Sequence, residues 1–338
     1  MTPQQRRKYF FTSKLLKEIE SCPAGALHTL TSNELSGLDG LSLVEMTLKK
    51  NGVLNPHWHP NAQKIGYCTQ GKMLVSIHGP TGSEQFLVEK GEIFYLPQGS
   101  IHHIENTSDV DGIIKFALNH SEPETMTLSR SFSATPDTAV NATFATDSDF
   151  ATGLKDAATH ELLGTLSQQS SGGEATAHRY KFDIEKSTDV VLTPGGYLKV
   201  GLKVNLSALE GVGILGFGLN PNGAVEPHWH PNSNELVYVT KGRIRGMLLS
   251  PDGHHEVHER GEGEGFFAPA GYFHSIENIG KGEMDAIAFF DNPEMVYVGL
   301  GEALGTISDE VLASTFHVDP SYFKRLRKPG GPLVIVPS

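Results

Sequence analysis

Short apolar or alternating runs, separated by turn-forming residues, dominate the chain. In the first half such runs cover residues 41–48, 65–69, 73–77, 85–88 and 93–96, with turn chemistry such as Gly79-Pro80-Thr81-Gly82 between them. The second half repeats this pattern of short apolar runs and turns, with Pro251-Asp252-Gly253 as a predicted hairpin turn and residues 284–290 as a late strand. Many short strands at regular spacing predict an all-β protein built as antiparallel sandwiches or barrels.

Helical patterns are few and lie at the ends of the β-rich regions. Residues 136–144 and 308–316 predict short helices, the second with Ser308 as its N-cap and acidic residues in its first turn, where the helix dipole favours them. Residues 1–20 are polar and basic but include Leu15, Leu16 and Ile19. They predict either a helix that packs on a neighbouring domain or subunit, or a frayed terminus.

The chain contains an internal duplication. His57-Trp58-His59-Pro60-Asn61 recurs as His228-Trp229-His230-Pro231-Asn232, an offset of 171 residues. Downstream, with one added residue, Pro97, Gly99, His102 and Asn106 match Pro269, Gly271, His274 and Asn278. A length of 338 residues also favours two domains. One ancestral unit has therefore been duplicated.

The duplication divides the chain into four predicted segments. These are an N-terminal arm at residues 1–28, a first barrel at 29–165, a linker at 166–178 and a second barrel at 179–338 that ends in a C-terminal helix. The linker is centred on Ser170-Ser171-Gly172-Gly173, a composition typical of flexible connections.

Charge and cysteine content narrow the possible functions. There are 27 Lys and Arg against 39 Asp and Glu, and the formal net charge of -12 disfavours nucleic acid and anionic membranes as partners. No signal-like or membrane-length apolar run is present, which predicts a soluble cytoplasmic protein. Cys22 and Cys68 are expected to be free thiols in a reducing compartment.

Four residues of the second unit have the chemistry and spacing of a metal site. Alternate side chains of a strand share a face, so His228 and His230 point the same way. Glu235 begins the next predicted strand, and His274 follows the turn Pro269-Ala270-Gly271. A single histidine is more often a hydrogen-bonded residue of a barrel wall, but four donors at matched spacings favour a divalent metal. Three imidazoles and one carboxylate suit Mn or Fe, which leave coordination positions open, while Ni or Zn also fit.

The first unit keeps the histidines but exchanges the carboxylate. His57, His59 and His102 align with the three imidazoles of the second unit, whereas Lys64 stands where Glu235 does. An ammonium group repels a dication unless it swings away or loses its proton. The first barrel is therefore predicted to bind metal weakly, or to hold a three-histidine site with Lys64 turned aside. An anion pocket built from Lys64 and the histidines is an alternative.

These residues carry a family resemblance. The pattern Gly223-x4-His228-x-His230-x4-Glu235-x6-Gly242, followed by Gly263-x5-Pro269-x-Gly271-x2-His274-x3-Asn278, resembles the two cupin motifs. The duplication resembles a bicupin, similar to germin-like proteins and oxalate decarboxylases. The resemblance implies two double-stranded β-helix (jelly-roll) barrels, each able to hold a metal, with a few short peripheral helices.

The resemblance also points to a catalytic residue and to a departure from oxalate chemistry. Glu122, in Ser121-Glu122-Pro123-Glu124, lies where oxalate decarboxylases carry a lid with a catalytic glutamate, and a solvated acidic turn is the alternative. Those enzymes place an arginine ahead of the His-x-His pair, but Leu54 and Val225 stand there in this chain. The substitution argues against oxalate turnover, because a guanidinium is the usual carboxylate clamp.

Two functional hypotheses follow. The first is a metal-dependent oxidoreductase or carboxy-lyase that acts at the second barrel on a small carboxylic or oxygenated substrate. The second is a non-enzymatic, globulin-like or small-ligand-binding bicupin in which the metal is structural. A homo-oligomer is expected in either case, because such barrels expose sheet faces and edges that need covering.

Overall fold

The computed structural model describes residues 8–80, 82–170, 178–188, 190–326 and 333–337. The strands of its first half are β1 (Phe10–Phe11), β2 (Lys17–Cys22), β3 (Gly25–Leu30), β4 (Ser42–Leu48), β5 (Gly52–Trp58), β6 (Lys64–Gln70), β7 (Lys72–Gly79), β8 (Gly82–Glu89), β9 (Glu92–Leu96), β10 (Ile101–Asn106), β11 (Gly112–Leu118), β12 (Met126–Thr127) and β13 (Leu163–Thr165). The predicted strands of the first unit are confirmed, each within a few residues of its expected bounds.

The second half repeats this succession. Its strands are β14 (Lys181–Asp183), β15 (Val191–Thr193), β16 (Gly196–Gly201), β17 (Gly213–Leu219), β18 (Gly223–Trp229), β19 (Glu235–Lys241), β20 (Arg243–Leu249), β21 (His255–Gly261), β22 (Gly265–Ala268), β23 (Phe273–Asn278), β24 (Met284–Phe290), β25 (Val298–Gly299) and β26 (Ile335–Pro337). The predicted hairpin at Pro251-Asp252-Gly253 joins β20 and β21, which pair along their whole length. The late strand is β24.

Helices are short and peripheral, as predicted. They are α1 (Leu128–Ala134), α2 (Asp137–Phe144), α3 (Ser148–Ala157), α4 (Leu300–Gly305) and α5 (Asp309–Phe316), with 3₁₀ turns at Ser13–Leu15 and Pro320–Arg325. The predicted cap of α5 is present, because the Ser308 hydroxyl accepts from the Val311 N–H at 3.3 Å. No helix among the described residues is long and apolar enough to cross a membrane.

Each unit folds as two facing antiparallel sheets. The first barrel combines the sheet β14-β9-β6-β11-β4-β3-β2 with the sheet β12-β5-β10-β7-β8, and β13 also pairs with β5. The second combines β1-β22-β19-β24-β17-β16-β15 with β21-β20-β23-β18-β25, and β26 also pairs with β18. Tight turns close the equivalent hairpins at Gly71 and Gly242, whose φ values of 86° and 80° favour glycine.

The barrels exchange strands. Strand β1 precedes the first barrel but pairs with β22 of the second, opposite Phe266, while β14 precedes the second barrel but pairs with β9 of the first. Phe10 and Phe11 are fully buried there, which stabilises the junction by about 2–3 kcal/mol for each ring. The prediction of a helix over residues 1–20 is wrong for the described residues 8–20, most of which belong to β1, the 3₁₀ turn at Ser13–Leu15 and β2.

Polar contacts reinforce the junction between the barrels. Tyr67 and Tyr238 occupy equivalent positions of the repeat, and each donates to a carboxylate of the other half at 2.6 Å, Glu185 and Glu45 respectively. One apolar core runs through both barrels around these contacts.

The predicted segment boundaries stay a prediction, because residues 171–177 of the linker lie outside the described residues. Cys22 and Cys68 are free thiols, as expected.

Candidate metal centre

The structure brings together the four residues predicted in the second barrel. His228 on β18 lies directly opposite His274 on β23, and the register between these strands shifts next to the pair. His230 follows the end of β18, and Glu235 is the first residue of β19. One donor atom from each residue lies within 4.8 Å of the others, and all four side chains are buried. The period-two alternation of the strand is what turns His228 and His230 inward together.

Backbone carbonyls fix the orientation of the three imidazoles. The Nδ1 atoms of His228, His230 and His274 contact the carbonyl oxygens of Glu226, Val296 and Tyr272 at 2.7, 2.9 and 2.8 Å. A carbonyl oxygen only accepts, so each Nδ1 carries the hydrogen. In the neutral ring the Nε2 lone pair is then free to point into the barrel, which is the tautomer that a metal ligand requires.

The contacts of Glu235 call for a cation in the centre of this group. One Glu235 carboxylate oxygen lies 2.8 Å from Nε2 of His274 and 3.3 Å from Nε2 of His230. Lone pairs at this distance repel unless a proton or a metal ion lies between them. Burial by itself would raise the pKa of Glu235, but the neighbouring imidazoles hold it well below its usual range. Burial first, and the proximity of His274 second, lower the pKa of His228, which favours the neutral ligand form.

A small apolar cavity of about 120 Å³ adjoins this group. Val225 lines it, so the place of the expected arginine is an apolar wall, and no lysine or arginine lines it among the described residues. Tyr297 also faces the cavity, and its ring stacks on His228 with centroids 4.6 Å apart. Burial raises the pKa of Tyr297 far above its usual value, so the phenol is neutral. Its hydroxyl forms no close hydrogen bond among the described residues, but it lies near the Glu226 carboxylate, which also contributes to the raised pKa.

Sequence reasoning missed Tyr297 and Glu226. The buried Glu226 carboxylate accepts from the backbone N–H groups of Leu333 and Val334 at 2.8 and 2.9 Å, and from that of Gly301 at 3.2 Å. It thereby holds the C-terminal segment against β18, and Val334 lines the cavity. The position of Glu226 two residues before His228 was the available signal, whereas Tyr297 lies in a loop without a pattern.

The first barrel assembles the equivalent group with a lysine inside it. His57 on β5 lies opposite His102 on β10, and His59 lies beside them. Lys64 Nζ lies 3.4 Å from Nε2 of both His57 and His59. Lys64 therefore points toward two of the three histidines here, and the alternative in which it turns aside for a bound metal stays a prediction. The three Nδ1 atoms again contact carbonyl oxygens, those of Asn55, Glu124 and Ser100.

Burial dominates the electrostatics of this group. It lowers the pKa of Lys64 to about 7, since no carboxylate compensates the ammonium. Burial and the Lys64 charge lower the pKa of His59 to about 3, and the same two causes hold the pKa of His57 well below its usual range. The imidazoles of this barrel are therefore neutral at physiological pH.

A larger cavity of about 390 Å³ opens beside Lys64. Leu54, the second residue found in place of the expected arginine, forms part of its wall. Glu122 lines the cavity and accepts a hydrogen bond from the Ser32 hydroxyl at 2.8 Å. Its side chain is exposed, so its placement is compatible with both the lid glutamate and the solvated turn.

Other histidines lie outside the two histidine groups. His254 and His255 are exposed on a hairpin, and His103 pairs with Glu105.

Comparisons with known proteins agree with this architecture. Oxalate decarboxylase of Bacillus subtilis (strain 168) is 24% identical over 319 residues, which cover 92% of this chain and 82% of the relative. Germin-like protein 3-8 of Oryza sativa subsp. japonica is 34% identical over 121 residues, covering 35% of this chain and 54% of the relative. A structure of Bacillus subtilis oxalate decarboxylase used to assign its Mn(II) centres matches with a TM-score of 0.85 at 20% identity, over 98% of this chain and 89% of that one.

The structural likeness, at this identity, shows the fold. The family model for cupins matches residues 16–151 and residues 184–322, once in each barrel. These two segments make up most of the chain and contain both histidine groups. The chain therefore belongs to the cupin family and carries two cupin domains.

Proposed function

We propose that this protein is a metal-dependent enzyme that acts on a small carboxylic or oxygenated substrate at its second barrel. The observation that carries the proposal is the contact of Glu235 with two inward-facing imidazoles, which a bound cation would reconcile. His228, His230, Glu235 and His274 would hold the metal. The bound metal would act as a Lewis acid or activate dioxygen at its open coordination positions.

Mn or Fe is the preferred metal. A set of three imidazoles and one carboxylate leaves positions free on an ion that takes six ligands. The Mn(II) centres of the related oxalate decarboxylase support the same choice. Ni or Zn would also accept these donors.

The protein's own residues would shape the reaction by excluding water and orienting the substrate. The cavity of about 120 Å³ admits only a small molecule. Its apolar walls offer no counter-ion for a second negative charge, which disfavours a dianion such as oxalate. Tyr297 lines the cavity with a neutral hydroxyl that forms no close hydrogen bond among the described residues, and we propose that it turns from the nearby Glu226 carboxylate to donate a hydrogen bond to a substrate oxygen.

Glu122 remains a prediction as a catalytic residue. It lines the first cavity, whereas Glu294, at the equivalent position of the second unit, is not among the described residues that line the second cavity. A role for Glu122 would therefore require chemistry in the first barrel. Substitution Glu122→Gln is expected to leave turnover at the second barrel unchanged, and a large loss would instead assign the active site to the first barrel.

The decisive experiment combines metal analysis with turnover on the full chain. The purified protein is loaded with Mn or Fe, desalted, and assayed with a panel of small carboxylic acids that begins with oxalate, while carbon dioxide release and oxygen consumption are followed. Glu235→Gln is expected to lose the second-barrel metal and turnover together. The matched control His254→Gln changes an exposed histidine outside both groups and should retain both.

The alternative function has a distinct outcome. Metal bound at the second barrel without turnover of any panel member, together with a lower melting temperature after metal removal, would favour a binding protein with a structural metal.

We further propose a cytoplasmic homo-oligomer. The exposed Phe144, Phe150 and Leu154 offer apolar surface on the α2–α3 region, and light scattering of the eluted protein would test assembly.

A further inference from the structure

The first barrel buries an amine at the position where the second barrel buries a carboxylate. Lys64 is 3% exposed, and its Nζ lies among neutral imidazoles. We propose that this barrel is a second, separate binding chamber, in which the Lys64 ammonium takes the place of a metal and holds the carboxylate of a small monocarboxylic acid with an apolar body.

Hydrogen-bond directions support the replacement of the metal by the ammonium. The Nδ1 hydrogens of His57 and His59 are donated to carbonyl oxygens, so their Nε2 atoms can only accept. Both accept from Lys64 Nζ at 3.4 Å. An ammonium group has three donors, so one remains after these two contacts. Nζ also lies 4.3 Å from the centre of the Phe116 ring, which lines the cavity.

The charge of Lys64 lacks a counter-ion within the described part of the chain. No carboxylate there lies within ion-pairing distance of Nζ, and the described contacts of the amine are with imidazoles and an aromatic ring. The buried Lys181 provides the contrast, because its Nζ pairs with Glu92 at 2.9 Å. An uncompensated buried ammonium is costly, and an anion in the adjoining cavity would remove that cost.

The cavity walls select the ligand class. Its volume of about 390 Å³ suits a small organic molecule. Much of the wall is apolar, formed by Leu27, Val44, Leu54, Phe116, Leu118 and Leu162. Glu122 and Glu124 also line the cavity, and their negative charges would repel a second negative charge on the ligand. One carboxylate on Lys64 and an apolar remainder against the leucines satisfy all of these features.

Calorimetric titration of the full chain, with metal loaded at the second barrel, tests the proposal with three probes of equal length. Hexanoate is expected to bind once per chain. Hexanamide lacks the charge and adipate adds a second one, and each should bind at least about thirtyfold more weakly. These comparisons need no substitution, so they hold even where a variant fails to fold.

Two variants locate the binding site. Lys64→Met, similar in length and uncharged, should weaken hexanoate binding by at least about thirtyfold, and retained second-barrel metal would verify its fold. Glu235→Gln should leave hexanoate binding intact while losing that metal. Three results would overturn the proposal: no saturable binding of hexanoate, equal binding of hexanamide, or unchanged hexanoate binding in Lys64→Met.

Discussion

The substitution Lys64→Glu should convert the first barrel into a copy of the second metal centre. His57, His59 and His102 already present neutral imidazoles whose Nδ1 hydrogens are donated to carbonyl oxygens. The residue that differs between the two groups is the first residue of β6 in one barrel and of β19 in the other. A carboxylate at position 64 would complete the set of four donors. We therefore expect the substitution to add one tightly bound metal ion to each chain.

The size of the effect follows from charge and distance. Lys64 Nζ lies 3.4 Å from two imidazole nitrogens, so the residue contacts the space where a metal would bind. Its pKa of about 7 allows the proton to be lost at modest cost, but a neutral amine supplies no charge. A carboxylate and a dication about 4 Å apart attract by about 8 kcal/mol at an effective dielectric constant of about 20. After desolvation of the carboxylate, about 4 kcal/mol remains, which corresponds to roughly a thousandfold tighter binding.

Metal content per chain is the measurement. The wild-type protein and the variants are incubated with excess Mn(II), desalted and analysed by mass spectrometry of the elements. We expect one ion per chain in the wild type and in Lys64→Met, two in Lys64→Glu, and one in the double variant Lys64→Glu/Glu235→Gln. Lys64→Met separates removal of the amine from addition of a carboxylate.

Two results would refute this reasoning. Two tightly held ions per wild-type chain would mean that Lys64 does not prevent metal binding in the first barrel. A folded Lys64→Glu variant that still retains one ion would mean that the three imidazoles are held in a geometry unsuited to a metal, whatever the fourth residue.

The remaining predictions concern stability. Lys64→Met should raise the free energy of unfolding by about 2–5 kcal/mol at pH 7, because the folded-state pKa of Lys64, about 7, lies below its ordinary value of 10.5. Urea titrations at several pH values should show that this gain shrinks as the pH rises from 7 towards 10.5. In metal-free protein the buried His57, His102 and His228 have lowered pKa values, so the unfolded chain takes up protons at a higher pH than the folded chain does. The free energy of unfolding should therefore fall by about 1.4 kcal/mol per pH unit for each histidine below about pH 6.5. A free energy of unfolding that stays constant from pH 7 to 5 would contradict this prediction. Glu226→Ala should release residues 333–337 and lower the free energy of unfolding by about 1.5–3 kcal/mol for each lost charge-assisted hydrogen bond. The variant should show a lower melting temperature and faster C-terminal proteolysis than the control Glu277→Ala, which changes an exposed residue of β23.

Much of the fold could be predicted because its signals are local. The alternation of residues in β4 to β9 and the turn at Pro251-Asp252-Gly253 are readable within a few positions. The Ser308 cap of α5 is local in the same way. The helix expected over residues 1–20 failed because Phe10 and Phe11 gain more from burial against the distant β22 than from any local pattern.

The residues of the candidate site were likewise only partly predictable from the sequence. Its metal donors could be identified from the duplicated spacing, since His228, His230 and Glu235 lie within one strand and the start of the next. Tyr297 and Glu226 could not, because the first lies in an irregular loop and the partners of the second are more than seventy residues away. Contacts at such separations are set by the closing of the barrel.

The sequence by itself determined the duplication, the succession of strand segments along each unit and the exchange of a carboxylate for Lys64. Repetition and period-two alternation are properties of the chain that need no distant partner. Only the tertiary structure decided that Lys64 points into the histidine group, that carbonyl oxygens fix the imidazole tautomers, and that β1 and β14 cross between barrels. A side chain's direction and its hydrogen-bond partners depend on packing between segments far apart in sequence, and these contacts exist only once both barrels have closed.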